Sequence, residues 1–524
     1  MTTTAPTPTT TQGHRGLPAN LGELMAPLTR KEDLFDEIKD LVPAGSIEPR
    51  DPEVLARLTA LTGQLISTYE YAGELDRHPF SDVADRTIHL YEGEVGEQLR
   101  ESTVLVTGGE GYIGSKLITV AADFAPRRIV SVDIAGRRSD NPTERHLYRS
   151  DIADLDSLAS IFAAERPDIV FHLAAEREPA RAERQIRETI HSNIAGTDNV
   201  LQLCEEYRVK HCVYSSSGKA ARYHTPDIYA GSKKITEWQL NQAAATGEVD
   251  YSAVRFTHVM ENSIVHREML DKIDRGIISF HSPDRYMHAQ TKEEAVNLLL
   301  NSLAMKGAPD CQLSTVRDLG WPIDVLTIPL YEMKRRGVVV PLYFRGVPDG
   351  YESEFFRGQL DHSAVGEFNP MINAQETLFS RPDASEDMTI ARVTPFSFRA
   401  FQRVLSDLKA AASVLPHDNV NIKSQLSSAI KEVSRTSFEE TPLHRAWDIL
   451  RWGVDARAVN IEDVLRDHRD TIELIARAVI PRLSSEQLKL TNTNRPKLVD
   501  VLQVLRRVEN LDTEVAKLSR IAIK

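Results

Sequence analysis

The sequence predicts an α/β protein on a doubly wound parallel sheet, with helical extensions at both ends. Three observations predict it. Short apolar runs of strand length alternate with helical segments from residue 101 to about 330, a pattern that gives parallel strands joined by right-handed crossovers. The first strand, Thr103–Val106, runs into Gly108, Gly111 and Gly114 at intervals of three. The second, Arg128–Val132, ends in Asp133, 19 residues past Gly114.

The chain of 524 residues is long enough for two or three domains. Residues 1–20, rich in Thr and Pro, are expected to be a disordered tail. Residues 21–100 read as a helical N-terminal extension. Leu34, Ile38 and Leu41 share one face there, and Asp51-Pro52 is an N-cap followed by proline before the stripe of Leu55, Leu58, Leu61 and Leu65. Residues 101–380 hold the sheet, with further strands at Asp168–Leu173, His211–Ser215 and Tyr251–Phe256 and a helix over Thr197–Tyr207. Residues 381–524 read as a helical C-terminal domain. Its last stripe, Leu498, Leu502, Leu505, Val508, Leu511, Val515, Leu518 and Ile521, suits a helix packed on its own domain better than a coiled-coil seam.

A net charge of −13 argues against nucleic acid as a partner, because there is no basic excess to neutralise phosphates. No apolar run approaches the roughly 20 residues of a membrane span, and the N-terminus lacks a basic-then-apolar leader pattern. The three cysteines, Cys204, Cys212 and Cys311, form no metal-ligand pattern. No metal and a cytoplasmic setting are expected.

The glycine triplet carries the first chemistry. Gly108 permits a tight strand-to-helix turn, Gly111 lets a pyrophosphate approach the backbone, and Gly114 lets helix pack closely on strand. Phosphates then meet free N–H groups at the helix N-terminus, and Asp133 is placed to accept from the adenosine ribose hydroxyls. NAD is favoured on that ground, with NADP as the alternative, since Arg137 and Arg138 follow closely enough to pair with a 2′-phosphate.

The second chemistry lies past a strand end. Ser215-Ser216-Ser217 is followed by Tyr229-Ala-Gly-Ser-Lys233, and on a helix Tyr229 and Lys233 share a face. An ammonium beside a phenol favours the phenolate. Tyr229 can then exchange a carbinol proton while a nicotinamide exchanges the hydride, with Ser217 holding the substrate oxygen.

Taken together, residues 101 to about 360 resemble the extended short-chain dehydrogenase/reductases, specifically the polysaccharide-biosynthesis, CapD-like branch of nucleotide-sugar epimerases and dehydratases. Val104–Gly114 resembles the TGxxGxIG loop, Asp168–Ala175 the strand lining the cofactor, and Asn193–Val200 the NxxGTxNV helix. Tyr229–Lys233 resembles YGxxK with Ala230 at the glycine place, and Asp284–Met287 with Glu294-Ala295-Val296 is similar to RFxMT…EAV. The resemblance implies a cofactor held by Gly108, Gly111, Tyr112, Ile113, Gly114, Asp133, Asp151, Ile152, Ala174, Ala175 and Lys233. It implies catalysis by Ser217, Tyr229 and Lys233, with Lys219 as a further acid or base. Arg177, Arg255, His258 and Arg285 are the expected substrate contacts.

The departures fall in the substrate pocket. The Asp-Lys pair of the branch's dehydratases reads Gly218-Lys219, Arg177 stands for a lysine, and His258 for an asparagine. The glycine-proline-rich substrate loop is altered to Val347-Pro-Asp-Gly-Tyr-Glu352. The resemblance and its departures imply an NAD(P)-dependent enzyme acting on a nucleotide-activated sugar through a transient keto-sugar, with epimerisation favoured over dehydration because glycine donates no proton. A net dehydrogenase or ketoreductase and a non-catalytic NAD(P)-binding scaffold are the alternatives. A homo-oligomer is expected.

Overall fold

The computed structural model describes residues 30–136, 140–260, 264–305, 309–348, 350–351, 355–363, 368–416, 418–484 and 495–523. They fall into two compact units.

The larger unit is built on a nine-stranded sheet: β1 (Thr103–Thr107), β2 (Arg128–Asp133), β3 (His146–Arg149), β4 (Ile169–His172), β5 (His211–Ser217), β6 (Asp250–Phe256), β7 (Gln312–Val316), β8 (Arg381–Pro382) and β9 (Met388–Arg392). The spatial order is β8-β9-β7-β6-β5-β4-β1-β2-β3. Strands β1 to β7 are parallel, and β9 and β8 close the edge antiparallel. Every residue of β1 and β4 is buried, as continuous apolar runs in a sheet covered on both faces must be. Chain order reverses between β1 and β4, which opens the crevice where such sheets bind ligands.

The boundary expected at residue 380 runs through this sheet, since β8 and β9 lie beyond it. Nor do the following helices stand apart. Phe401, Val404 and Leu408 of helix Phe398–Ser413 join one core with Trp238, and so do Ile422, Leu426 and Ile430 of helix Asn419–Glu440. A separate apolar cluster holds helices 443–453 and 461–479. The terminal stripe packs there too, as two helices, Arg495–Leu505 and Asp512–Ile523.

The smaller unit comprises residues 30–78, 269–283 and 326–346. Helix Pro52–Tyr71 starts at the expected cap, where Asp51 accepts from the Glu53 N–H. Strands Ile278–Phe280 and Leu342–Phe344 pair in parallel, Phe35 meets Phe344 edge to face, and the Thr62 hydroxyl accepts from the Leu342 N–H. Residues 30–78 of the expected N-terminal extension thus share a core with segments at 269–283 and 326–346. The tail at 1–20 lies outside the described residues.

Candidate active site

The glycine loop links β1 to helix Tyr112–Ala122. Gly108 has φ +71, a conformation other residues rarely adopt, and a Cβ there would sit 2.8 Å from the Ala174 nitrogen. A Cβ on Gly114 would lie 2.9 Å from the Gly109 Cα. Backbone closeness thus requires glycine at both places, and the loop keeps the shape that a pyrophosphate at a helix N-terminus needs. The residues fit a dinucleotide. At the end of β2, Asp133 accepts from the N–H groups of Glu110 and Ala135, at 2.9 Å each.

One buried network ties the two strand ends at the crevice. The Thr107 hydroxyl accepts from the N–H groups of Leu173 and Ala174 and lies 2.7 Å from His172 Nδ1. Nε2 of His172 is 2.9 Å from the Thr197 hydroxyl, which itself donates to the Asn193 carbonyl. That hydroxyl therefore accepts from Nε2–H, and Nδ1 accepts from Thr107. Burial, with the Lys233 charge adding to it, lowers the His172 pKa to about 3 and keeps the ring neutral.

Ser217 ends β5, and Tyr229 and Lys233 lie on the first turns of helix Ile228–Thr246. Lys233 is buried and donates to the Ser215 carbonyl at 2.8 Å. Burial pushes its ammonium down to about 7 against the opposing pull of Glu237. Asn193, in the π-helical turn His191–Ala195, accepts from the Glu176 N–H and donates to the Ser232 hydroxyl. That hydroxyl in turn donates to the Tyr229 carbonyl. Helix 419–440 presses on the same element: a Cβ on Gly231 would lie 2.8 Å from Ile430 Cδ1. The Tyr229 neighbourhood is therefore braced from two sides.

Lys219 projects its ammonium to 6.0 Å from the Tyr229 ring centroid and 3.5 Å from the Gly350 carbonyl. Its N–H donates to Ser217 Oγ. Between them, Gly218 lies under Met371: a Cβ would come within 2.6 Å of Met371 Cε, so a side chain there requires the thioether to move. Met371 belongs to a segment that also holds Asn373, whose amide donates to the Ala221 carbonyl, and Glu376.

Among the expected substrate contacts, Arg255 requires a correction. It is 1% exposed and makes five hydrogen bonds, to both oxygens of Glu237, both oxygens of Glu376 and the Met371 carbonyl. Its donors are spent inside the protein, and it acts as a buried clamp between helix 228–246 and the Met371 segment. Arg177 and His258 are exposed, and Arg285 is half-buried with its carbonyl accepting from Val325. Asp151 caps a turn through Ala153, and Ile152 is buried against Gly196. Tyr112 lies under the Lys292 ammonium, Ile113 is half-buried beside it, and Ala174 and Ala175 are half-buried after β4. Arg137 and Arg138 lie outside the described residues. Sequence reasoning missed Glu110, Glu237, Met371 and Glu376. Glu110 carried one usable signal, a charge inside an otherwise small-residue loop.

Residues 104–325 match the family described as "NAD dependent epimerase/dehydratase family". Two curated relatives are similar over a longer stretch. "Probable polysaccharide biosynthesis protein EpsC" of Bacillus subtilis is 24% identical over 53% of this chain and 49% of its own length. "Capsular polysaccharide biosynthesis protein CapD" of Staphylococcus aureus is 22% identical over 55% and 53%. The chain thus spans about half the length of these relatives. Among solved structures, a UDP-glucose 4-epimerase with UDP-glucose from Thermotoga maritima is 22% identical, covering 49% of this chain and 91% of that one at a TM-score of 0.42. Among the described residues no helix is long and apolar enough to cross a membrane, and no group of three His, Cys, Asp or Glu side chains is placed to hold a metal ion. The glycine loop, the strand order and the YxxxK helix beside them agree with the family match: residues 104–325 form a domain of the NAD-dependent epimerase/dehydratase kind, similar to the polysaccharide-biosynthesis proteins EpsC and CapD.

Proposed function

We propose that this chain catalyses the NAD-dependent epimerisation of a nucleotide-activated sugar through a transient keto-sugar. The observation that carries the reading is the grouping of Ser217, Tyr229, Lys233 and Lys219 at the C-terminal strand ends, next to a loop shaped for a dinucleotide. The nicotinamide, when bound, supplies hydride acceptance and return. Ser217 orients the substrate oxygen. Tyr229 takes its proton and later gives it back. Lys219, held by the Gly350 carbonyl, is the additional acid or base at the sugar.

Epimerisation is favoured over dehydration by a packing fact. Loss of water needs a proton delivered to the leaving hydroxyl, and position 218 holds no acid and is covered by the Met371 thioether. Asp133, engaged by two backbone amides, favours NAD at the ribose. EpsC and CapD, named for polysaccharide biosynthesis, support a sugar substrate. We extend the reading to a homo-oligomer in the cytoplasm, which sedimentation and fractionation test.

Purified protein is mixed with NAD and a panel of nucleotide sugars, and reduced nicotinamide is followed by fluorescence with products by mass spectrometry. Transient reduction with an isomeric product is expected. A product lighter by one water overturns the epimerase reading, and stoichiometric NADH release points to a net dehydrogenase. Silence across the panel leaves the scaffold.

A further inference from the structure

Glu110 sits between Gly109 and Gly111, yet its side chain turns inward and is fully buried. Its carboxylate accepts from Arg145 Nε at 2.7 Å and Nη2 at 2.6 Å, and from the Ser131 hydroxyl at 2.9 Å. Arg145 is buried as completely. Its Nη1 donates to the carbonyls of Thr143 and Asn141, at 2.7 and 3.2 Å. Asn141 in turn donates to the Ser115 carbonyl on the cofactor-loop helix. The Glu110 N–H donates to Asp133. The ion pair therefore ties the glycine loop to the connection leaving β2, and the backbone N–H of the same loop residue holds the strand-end carboxylate.

Desolvating two charges costs several kcal/mol per ion, so a buried pair is weak evidence of stability and better evidence of fixed geometry. Two geometries are fixed here. Asp133 is held against the loop by the Glu110 N–H, at the strand end where a dinucleotide's adenosine ribose would lie. The Arg145 guanidinium, a group suited to a ribose 2′-phosphate, is committed to protein acceptors.

Resting on the dinucleotide reading of the loop, we propose that the Glu110–Arg145 pair is a positioning element that sets cofactor choice: it aims Asp133 at unmodified ribose hydroxyls and withholds Arg145 from a 2′-phosphate. The readout is therefore cofactor binding itself, measured for NAD and NADP side by side.

Cofactor-stripped full-length protein is titrated with NAD and with NADP, and melting temperature is recorded for each variant. Wild type is expected to bind NAD about tenfold more tightly or better. Glu110→Gln frees the guanidinium, and the ratio of the two Kd values narrows about tenfold. Adding Arg145→Gln returns NADP affinity to the wild-type level while NAD binding stays weakened, so the ratio remains partly narrowed. Should Glu110→Gln fail to fold, the double variant, which buries no unpaired charge, decides by that ratio, and wild type by its own. Equal or tighter NADP binding by wild type overturns the proposal. So does an unchanged ratio in folded variants whose two affinities fall together, which would make the pair a loop staple only. Binding of neither cofactor by wild type overturns the dinucleotide reading itself, and this inference with it.

Discussion

The two ends of the crevice were built under different constraints. At the glycine loop the decisive contacts are between backbone atoms, Gly114 against Gly109 within the loop and Gly108 against Ala174 after the neighbouring strand. At the Ser217–Lys219 turn they come from far along the chain, with Met371 against Gly218 and Glu376 on Arg255. The loop tolerates one residue type at its critical positions, whatever the substrate. The turn is shaped by whichever side chain the distant segment offers. The first kind of site is fixed by its own sterics, whereas the second can be re-cut by changing a residue more than 100 positions away.

The sharpest way to separate the two ends is to disable the chemistry and spare the cofactor. Tyr229→Phe removes only the ionisable oxygen, and general acid–base groups contribute typically 10²–10⁴-fold. Hydride transfer should fall by about that factor, while NAD affinity, set at the glycine loop, stays within about twofold. Retention of most of the wild-type rate would take Tyr229 out of the mechanism.

Arg255 tests whether a residue expected in the pocket is a structural clamp. Arg255→Met leaves Glu237 and Glu376 buried without their cation, and breaking such a pair costs about 3–5 kcal/mol. Chemical denaturation should show a loss of that order. Wild-type stability with a raised KM for the sugar nucleotide would instead return Arg255 to substrate binding.

The same contrast explains what could be read in advance. The strands β1, β2, β4, β5 and β6, the loop glycines and the Tyr229–Lys233 helix were legible because period, spacing and glycine sterics are local properties. Arg255 was misplaced because nothing near it in sequence announces Glu376. The domain boundary at 380 failed for a related reason: β9 pairs with β7 across a long separation, and helix 419–440 packs on Gly231. Glu110 was passed over in a loop read for its glycines, and only its partner Arg145 shows that it points inward.

A smaller effect is expected at Gly218. Gly218→Asp should destabilise by about 1–3 kcal/mol, the usual cost of overpacking, without conferring water loss. Adding Met371→Ala opens the space, and the double variant should be less destabilised than the sum of the singles. Strict additivity in a double-mutant cycle would show that Met371 does not confine position 218.

The finest comparison lies within one helix, between Lys233 and Lys234. Burial pushes both ammonium groups down, Lys233 to about 7 and Lys234 to about 8, whereas an unfolded lysine titrates near 10.4. Between the folded and unfolded values the unfolded chain binds a proton that the folded one has lost. Stability therefore rises with pH across that window, by at most about 1.4 kcal/mol per pH unit for each lysine. Below the folded value both states carry the proton and the burial penalty is fully present; above the unfolded value neither does and it is gone. In cofactor-free protein, Lys233→Met should remove about one proton's worth of slope from pH 7 upward, and Lys234→Met the same from pH 8. A Lys233→Met profile parallel to wild type between pH 7 and 10 would mean that Lys233 keeps its charge in the empty site, and that the Ser215 carbonyl and Glu237 outweigh its burial there.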